Sequence, residues 1–207
     1  MKKKILLALL GLSIALAAFA IYASMQVRAT AAEDAQTLAG DDLIPHPIGA
    51  VNHAITIRRT PRDVWPWLAQ MGSGRAGWYA YDFIDNGGHH SSERILPEYQ
   101  EIGVDSVFPA LPGVQDVFLV VQCTPVQNLV LSWKLPDGMY QTTWAFILEP
   151  LPQEQTRLIV RGRIASGYQP FGLPQWLAVH LAHPAHFIMQ RKQLLGLARR
   201  AEASGQR

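Results

Sequence analysis

Between Val51 and Asp85 the periodicity of the chain changes twice within a few residues, and that change limits what it can fold into. Val51, His53, Ile55 and Ile57 alternate with Asn52, Ala54, Thr56 and Arg58, which puts one set on each face of a pleated strand. Thr60 and Asp63 then have the spacing of a capping box, and Pro61 sits at the first helical position, where its missing N–H is no loss. A short helix is expected there, with Val64, Trp67, Leu68 and Met71 along one side. Gly72, Gly74 and Gly77 end it, and an aromatic, acidic run follows at Trp78, Tyr79, Tyr81, Asp82 and Asp85.

Residues 86–103 carry Gly87, Gly88, Pro97 and Gly103 and read as irregular. Strand patterns follow at 104–108, 116–124, 128–134, 139–149 and 156–166. Pro136-Asp137-Gly138 and the connection from Pro150 to Gln155 both have hairpin length and composition. The last element is a helix from about Pro174 to Ala203, with Pro184 either kinking it or starting its second half. Strands in hairpin succession closed by one long helix predict an α+β domain with the helix over a single sheet face.

At the other end, Lys2, Lys3 and Lys4 precede an apolar run over residues 5–23, about the ~20 residues that one bilayer crossing needs. Ala18-Phe19-Ala20 and Ala29-Thr30-Ala31 offer A-x-A cleavage patterns. The run is longer than the apolar part of a signal peptide, however, so an uncleaved anchor is the preferred reading. Residues 1–4 are then a cytoplasmic basic terminus, 5–23 a transmembrane helix, 24–42 a linker and 43–207 the domain. The triple lysine places that domain on the outer, periplasmic or extracellular side of the cell membrane. Setting aside Lys2, Lys3, Lys4 and Arg28 leaves 14 basic against 16 acidic residues, a balance that argues against a nucleic-acid partner. The lone Cys123 falls in an apolar strand pattern, as a buried, inert thiol would.

The segment VWPWLAQMGSGRAGWYAYD at 64–82 and HFIMQRK at 186–192 resemble small members of the START, Bet v 1 and polyketide cyclase-like superfamily, also called SRPBCC. The resemblance covers roughly residues 45–203. It implies a helix-grip fold, a curved antiparallel sheet wrapped around a long C-terminal helix with a ligand cavity between them. It implies no single activity, because that superfamily hosts carriers, receptors and enzymes.

The chain has no phosphate-binding loop, nucleophile elbow, zinc-binding helix motif or paired C-x-x-C, and it implies no cofactor. Adjacent His89 and His90 point to opposite sides of an extended chain, so they are poorly placed to share a metal. Asp82 and Asp85 share one face of a helical turn, close enough for one to raise the pKa of the other, or to pair with Arg75 or Arg94. Trp78, Tyr79 and Tyr81 are either a ligand wall or core packing.

On the final helix, Phe187, Leu194, Leu195, Ala198 and Ala201 gather on one side, opposite Lys192, Arg199 and Arg200. Arg191 falls within that stripe, about 40° from Phe187, with His183 one turn earlier. Its expected partner is a ligand anion or an internal carboxylate such as Asp82, Asp85 or Glu98. The expected ligand-binding set is therefore Trp78, Tyr79, Asp82, His183 and Arg191. Three functions compete. The first is a binder of a small apolar or amphipathic molecule, the second a cyclase- or hydratase-type enzyme using Asp82 or Asp85 with Arg191, and the third a membrane protein whose cavity is filled by its own side chains.

Overall fold

The computed structural model describes residues 11, 13, 19–113, 117–134, 138–167 and 174–204. Most of the apolar run expected to cross a membrane lies outside the described residues. No described helix is long and apolar enough to do so. The strands are β1 (Gly49–Ile57), β2 (Val107–Pro109), β3 (Val117–Thr124), β4 (Asn128–Lys134), β5 (Tyr140–Leu151) and β6 (Gln155–Ile164). They form one antiparallel sheet in the order β1-β6-β5-β4-β3-β2. All strands after β1 follow one another as neighbours, and β1 closes on β6. The tip of the β4–β5 hairpin, where Pro136 and Asp137 fall, is outside the described residues.

One sheet face is the core. Trp144 of β5 lies opposite Gly162 of β6 and Leu131 of β4, and Gly162 in turn opposite Val51 of β1. Phe146 with Val160 and Leu148 with Leu158 continue the same row. Over them lies a helix from Gln175 to Ser204 that runs on through Pro184. The short helix Pro61–Ala69 has the expected capping box between Thr60 and Asp63. Val64, Trp67, Leu68 and Met71 are all buried.

The helix is rotated from the phase its apolar residues suggested. Its buried residues are Gln190, Gln193, Leu194, Leu197, Ala198, Arg200 and Ala201. At 100° per residue their centre lies roughly 60° from Phe187, on the side away from Arg191. Two residues expected elsewhere are displaced as a result. Arg191 moves to the edge of the interface, and Arg200, expected to face solvent, is buried. The Arg200 guanidinium reaches Glu93 at 2.8 Å, donates to the Ser92 carbonyl at 2.8 Å and lies 4.8 Å from the centre of the Tyr79 ring.

The segment expected to be a linker, 24–42, is docked on the domain: Val27 joins the main core at the β1 edge, and Ala29 and Leu38 beyond it lie on the opposite sheet face. Arg28 bridges to His53 at the β1 edge, and the Ala54 amide donates to the Val27 carbonyl at 3.0 Å. A five-residue helix, Ala31–Ala35, follows. Ala29 and Leu38 pack with Ala54 and Ile159. The outward side chains of β6 fasten this strap: Arg157 to Glu33 at 2.6 Å, Arg161 to Asp41 at 2.6 Å and Arg163 to Asp41 at 2.8 Å. Gly40, at φ +88°, lies so close to β4 that a Cβ would stand 2.7 Å from Val130 Cγ1.

Candidate functional site

The core is packed solid at one end of the helix and open at the other. Where helix residues 194–201 meet the helix Pro61–Ala69, apolar side chains fill the space. Toward residue 182 two compartments open between sheet and helix. The upper, about 250 Å³, is bounded by Val51, Trp133, Thr142, Ile164, His183 and His186. The lower, about 290 Å³, is bounded by Trp78, Asp85, Leu111, Met189, Gln190 and Gln193. Phe118, Trp144 and His186 border both and form the partition between them. Gly162 makes the partition possible, since a Cβ there would stand 3.1 Å from Val51 and 3.6 Å from His186 Nε2.

The walls are aromatic. Trp78 stacks on Trp144 with ring centres 5.3 Å apart, and Phe118 meets both at 5.8 and 5.6 Å. Hydrogen bonds fix the two indoles: Trp78 Nε1 donates to the Ala110 carbonyl at 3.0 Å, and Trp144 Nε1 to Gln190 Oε1 at 2.8 Å. Gln190 Nε2 then donates to Gln193 Oε1 at 2.8 Å. A buried amide that orients a cavity wall is thus itself oriented by a second amide one turn away.

Two polar groups in this space have no hydrogen-bond partner. Both oxygens of the buried Asp85 carboxyl are unpartnered, as is His186 Nδ1. Burial, reinforced by the charge of Asp82, pushes the Asp85 carboxyl up to about 6, while nearby backbone amides of Tyr81 and Asp85 pull it down only in part. Burial also drives the His186 imidazole down to about 4, helped by His53 and His183. His53, its ring centre 5.7 Å away, is depressed by burial as well. Desolvation disfavours the charged form in every case, which raises an acid and lowers a base.

The residues singled out from sequence occupy different places. Trp78 and Asp85 border the lower compartment and His183 the upper. Tyr79, with φ +62°, is core: its hydroxyl donates to the Trp67 carbonyl and accepts from Gln70 Nε2, both at 3.0 Å, and burial holds its phenol above its ordinary range. Asp82 is committed to Ser91, accepting from its hydroxyl at 2.5 Å and its amide at 3.1 Å. Arg191 borders neither compartment. Its guanidinium meets the side-chain carbonyl of Gln26, while its Nε has no partner, so its contact is an amide of the N-terminal segment and not Asp82, Asp85 or Glu98. Cys123 is half-buried, and that burial raises its thiol. Among the described residues no cluster of His, Cys, Asp and Glu suits a metal ion.

Sequence reasoning passed over Phe118, Trp144, His186, Gln190 and Gln193. The alternation in β5 that carries Phe146 and Leu148 inward carries Trp144 with them, so its position was readable from a period of two. The glutamines gave no comparable signal, because an uncharged polar residue does not reveal which way its helix is turned.

No protein-family model and no curated protein matches the chain. Solved structures of similar shape include a polyketide-cyclase-like protein of Corynebacterium glutamicum, 17% identical, covering 78% of this chain and 95% of that one at a TM-score of 0.47. A protein of Nitrosospira multiformis is 14% identical over 77% of this chain and all of that one, at 0.46. The Aha1 dimer of Colwellia psychrerythraea is 17% identical over 73% and 98%, at 0.40. These likenesses are distant. The strand order, the hairpin succession and the C-terminal helix laid over one face are features of this chain itself, and together they fit the helix-grip fold.

Proposed function

We propose that this domain binds a small apolar or amphipathic molecule between its sheet and its C-terminal helix. The observation that carries this reading is the two-part aromatic cavity, bordered by a few fixed polar groups, at the end of the helix where the protein's own side chains leave space. Ligand sites have that composition, with apolar walls for affinity and sparse polar groups for orientation. The open space also speaks against a cavity filled by its own side chains. An anchor at residues 5–23, holding the domain on the outer side of the membrane, belongs to the same proposal and is supported by the lysines before that run.

The test is titration with N-phenyl-1-naphthylamine, a neutral probe that brightens in apolar surroundings. The full chain should bind it with a single-site isotherm. Thr142→Phe, which adds bulk to the upper compartment without removing a buried partner, should weaken binding while the melting temperature holds. Absence of binding, or binding indifferent to Thr142→Phe, refutes the reading.

The enzyme reading keeps one observation in its favour. A carboxyl poised near 6 beside a cavity suits proton transfer. It would rest on Asp85 alone, since Asp82 is held by Ser91 and Arg191 by Gln26.

A further inference from the structure

The lower compartment has a definite electrostatic sign. Among the described residues, Asp85 is the one acidic side chain on its border, and no lysine or arginine lines it. The only other titratable border group among the described residues is His186, which burial keeps neutral near pH 7. Asp85 has no salt-bridge partner and no side-chain hydrogen-bond partner among the described residues, and its side chain is buried at the border of the compartment. An ionised carboxylate in that position costs several kcal/mol unless a cation reaches it. The buried Asp41 and Arg200, by contrast, have partners of opposite charge, two arginines and Glu93. Of the buried carboxylates among the described residues, Asp85 is the one without a cation beside it, and it borders an opening.

The rest of the wall suits a cation too. Trp78 and Trp144 are stacked on each other beside Phe118, and aromatic faces attract ammonium groups, tryptophan most of all. His186 Nδ1, also without a partner, adds an acceptor when the ring proton is on Nε2. A carboxylic acid entering the same compartment would meet Asp85 charge against charge. From the unpaired Asp85 carboxyl and the indole walls around it, we infer that the molecule bound in this cavity is an organic cation: an apolar body carrying a protonated amine, with Asp85 as its counter-ion. This rests on the cavity being a binding site, and it adds the charge of the occupant.

The experiment uses three molecules with one skeleton, 4-phenylbutylamine, 4-phenylbutan-1-ol and 4-phenylbutanoate, titrated calorimetrically into the full chain at pH 7.5. The amine should bind about tenfold tighter than the alcohol, and the acid most weakly of the three. Asp85→Asn, isosteric and free of a buried charge, should erase the amine's advantage while leaving alcohol affinity in place. If the alcohol binds but the amine binds no better, the cation assignment is overturned and the apolar cavity stands. An amine preference that survives Asp85→Asn also overturns it, because the counter-ion would then lie elsewhere. If none of the three binds, the cavity reading fails and this inference with it.

Discussion

Asp85 and His186 should oppose each other in the pH dependence of stability, so that removing either one exposes the other. The Asp85 carboxyl moves from 3.8 to about 6 on folding. A group whose folded pKa is raised binds its proton more tightly in the native state, so the stability it contributes is present below pH 4 and is lost as pH rises through 6. The shift of about two units corresponds to at most about 3 kcal/mol, because water in the adjoining compartment screens the charge. The His186 imidazole moves the other way, from 6.5 to about 4. Its folded form resists protonation, so its contribution is full above pH 6.5 and is lost as pH falls toward 4, again by about 3 kcal/mol. Between pH 4 and 6 the two slopes nearly cancel. Urea unfolding followed by tryptophan emission at half-unit steps from pH 4 to 8 should show it. Relative to the parent, Asp85→Asn should be stabilised by roughly 1–3 kcal/mol at pH 7.5, with that gain disappearing toward pH 4. His186→Gln should show the reverse, gaining relative stability as pH falls. Glu33 and Glu202, held low by their arginine partners, act alike in all three proteins and drop out of the differences. Parallel profiles for parent and both variants would refute the environments assigned to these two groups.

Two further outcomes follow from the packing. Removing residues 1–25 should release the protein from the membrane fraction with its melting behaviour intact. Removing 1–42 should cost at least ~3–5 kcal/mol, because Arg161 and Arg163 lose Asp41 from one side; equal denaturation midpoints for the two truncations would show that the strap is dispensable. Gly196→Ala should destabilise by ~1–3 kcal/mol, despite alanine's better helix propensity, because its Cβ would stand 2.3 Å from the Tyr79 carbonyl oxygen. A rise in melting temperature would contradict that close approach.

The sheet was legible because alternation and turn residues act over a few neighbours. The expected strand at 128–134 matches β4, and the others end within a few residues of their observed limits. The helix was legible in extent but not in rotation. Its apolar residues spread over a wide arc, and the burial of Gln190, Gln193 and Arg200 is set by Trp144, Met71 and the 91–93 segment, all far away in sequence. The strap was hidden for a different reason. Its buried Val27, Ala29, Leu38 and Ile44 follow no period, since an irregular segment docks wherever its turns allow. Its complement was visible, though. Arg157, Arg161 and Arg163 stand on one face of a strand around Ile159, and such a row of arginines beside an apolar residue asks for an acidic cover.

The distribution of burial along the C-terminal helix bears on how a ligand would be held. Every buried residue of that helix, among those described, lies at Gln190 or beyond. Trp176, Leu181 and Ile188 of the preceding stretch are 67%, 54% and 53% exposed, so the half that roofs the upper compartment keeps much of its apolar surface in water. Local opening is easiest where few apolar groups are buried. The two halves therefore divide the work: the second is locked by Leu194, Leu197, Ala201 and the Gly196–Tyr79 approach, while the first covers the cavity with little holding it down. An occupant of the compartments supplies the apolar contacts that the first half lacks, and whatever binds only the closed form stabilises that form by mass action. Affinity and closure of the roof then arise from the same contacts. The strap, fastened on the far face to Arg157, Arg161 and Arg163 of β6, braces the sheet on which that roof closes.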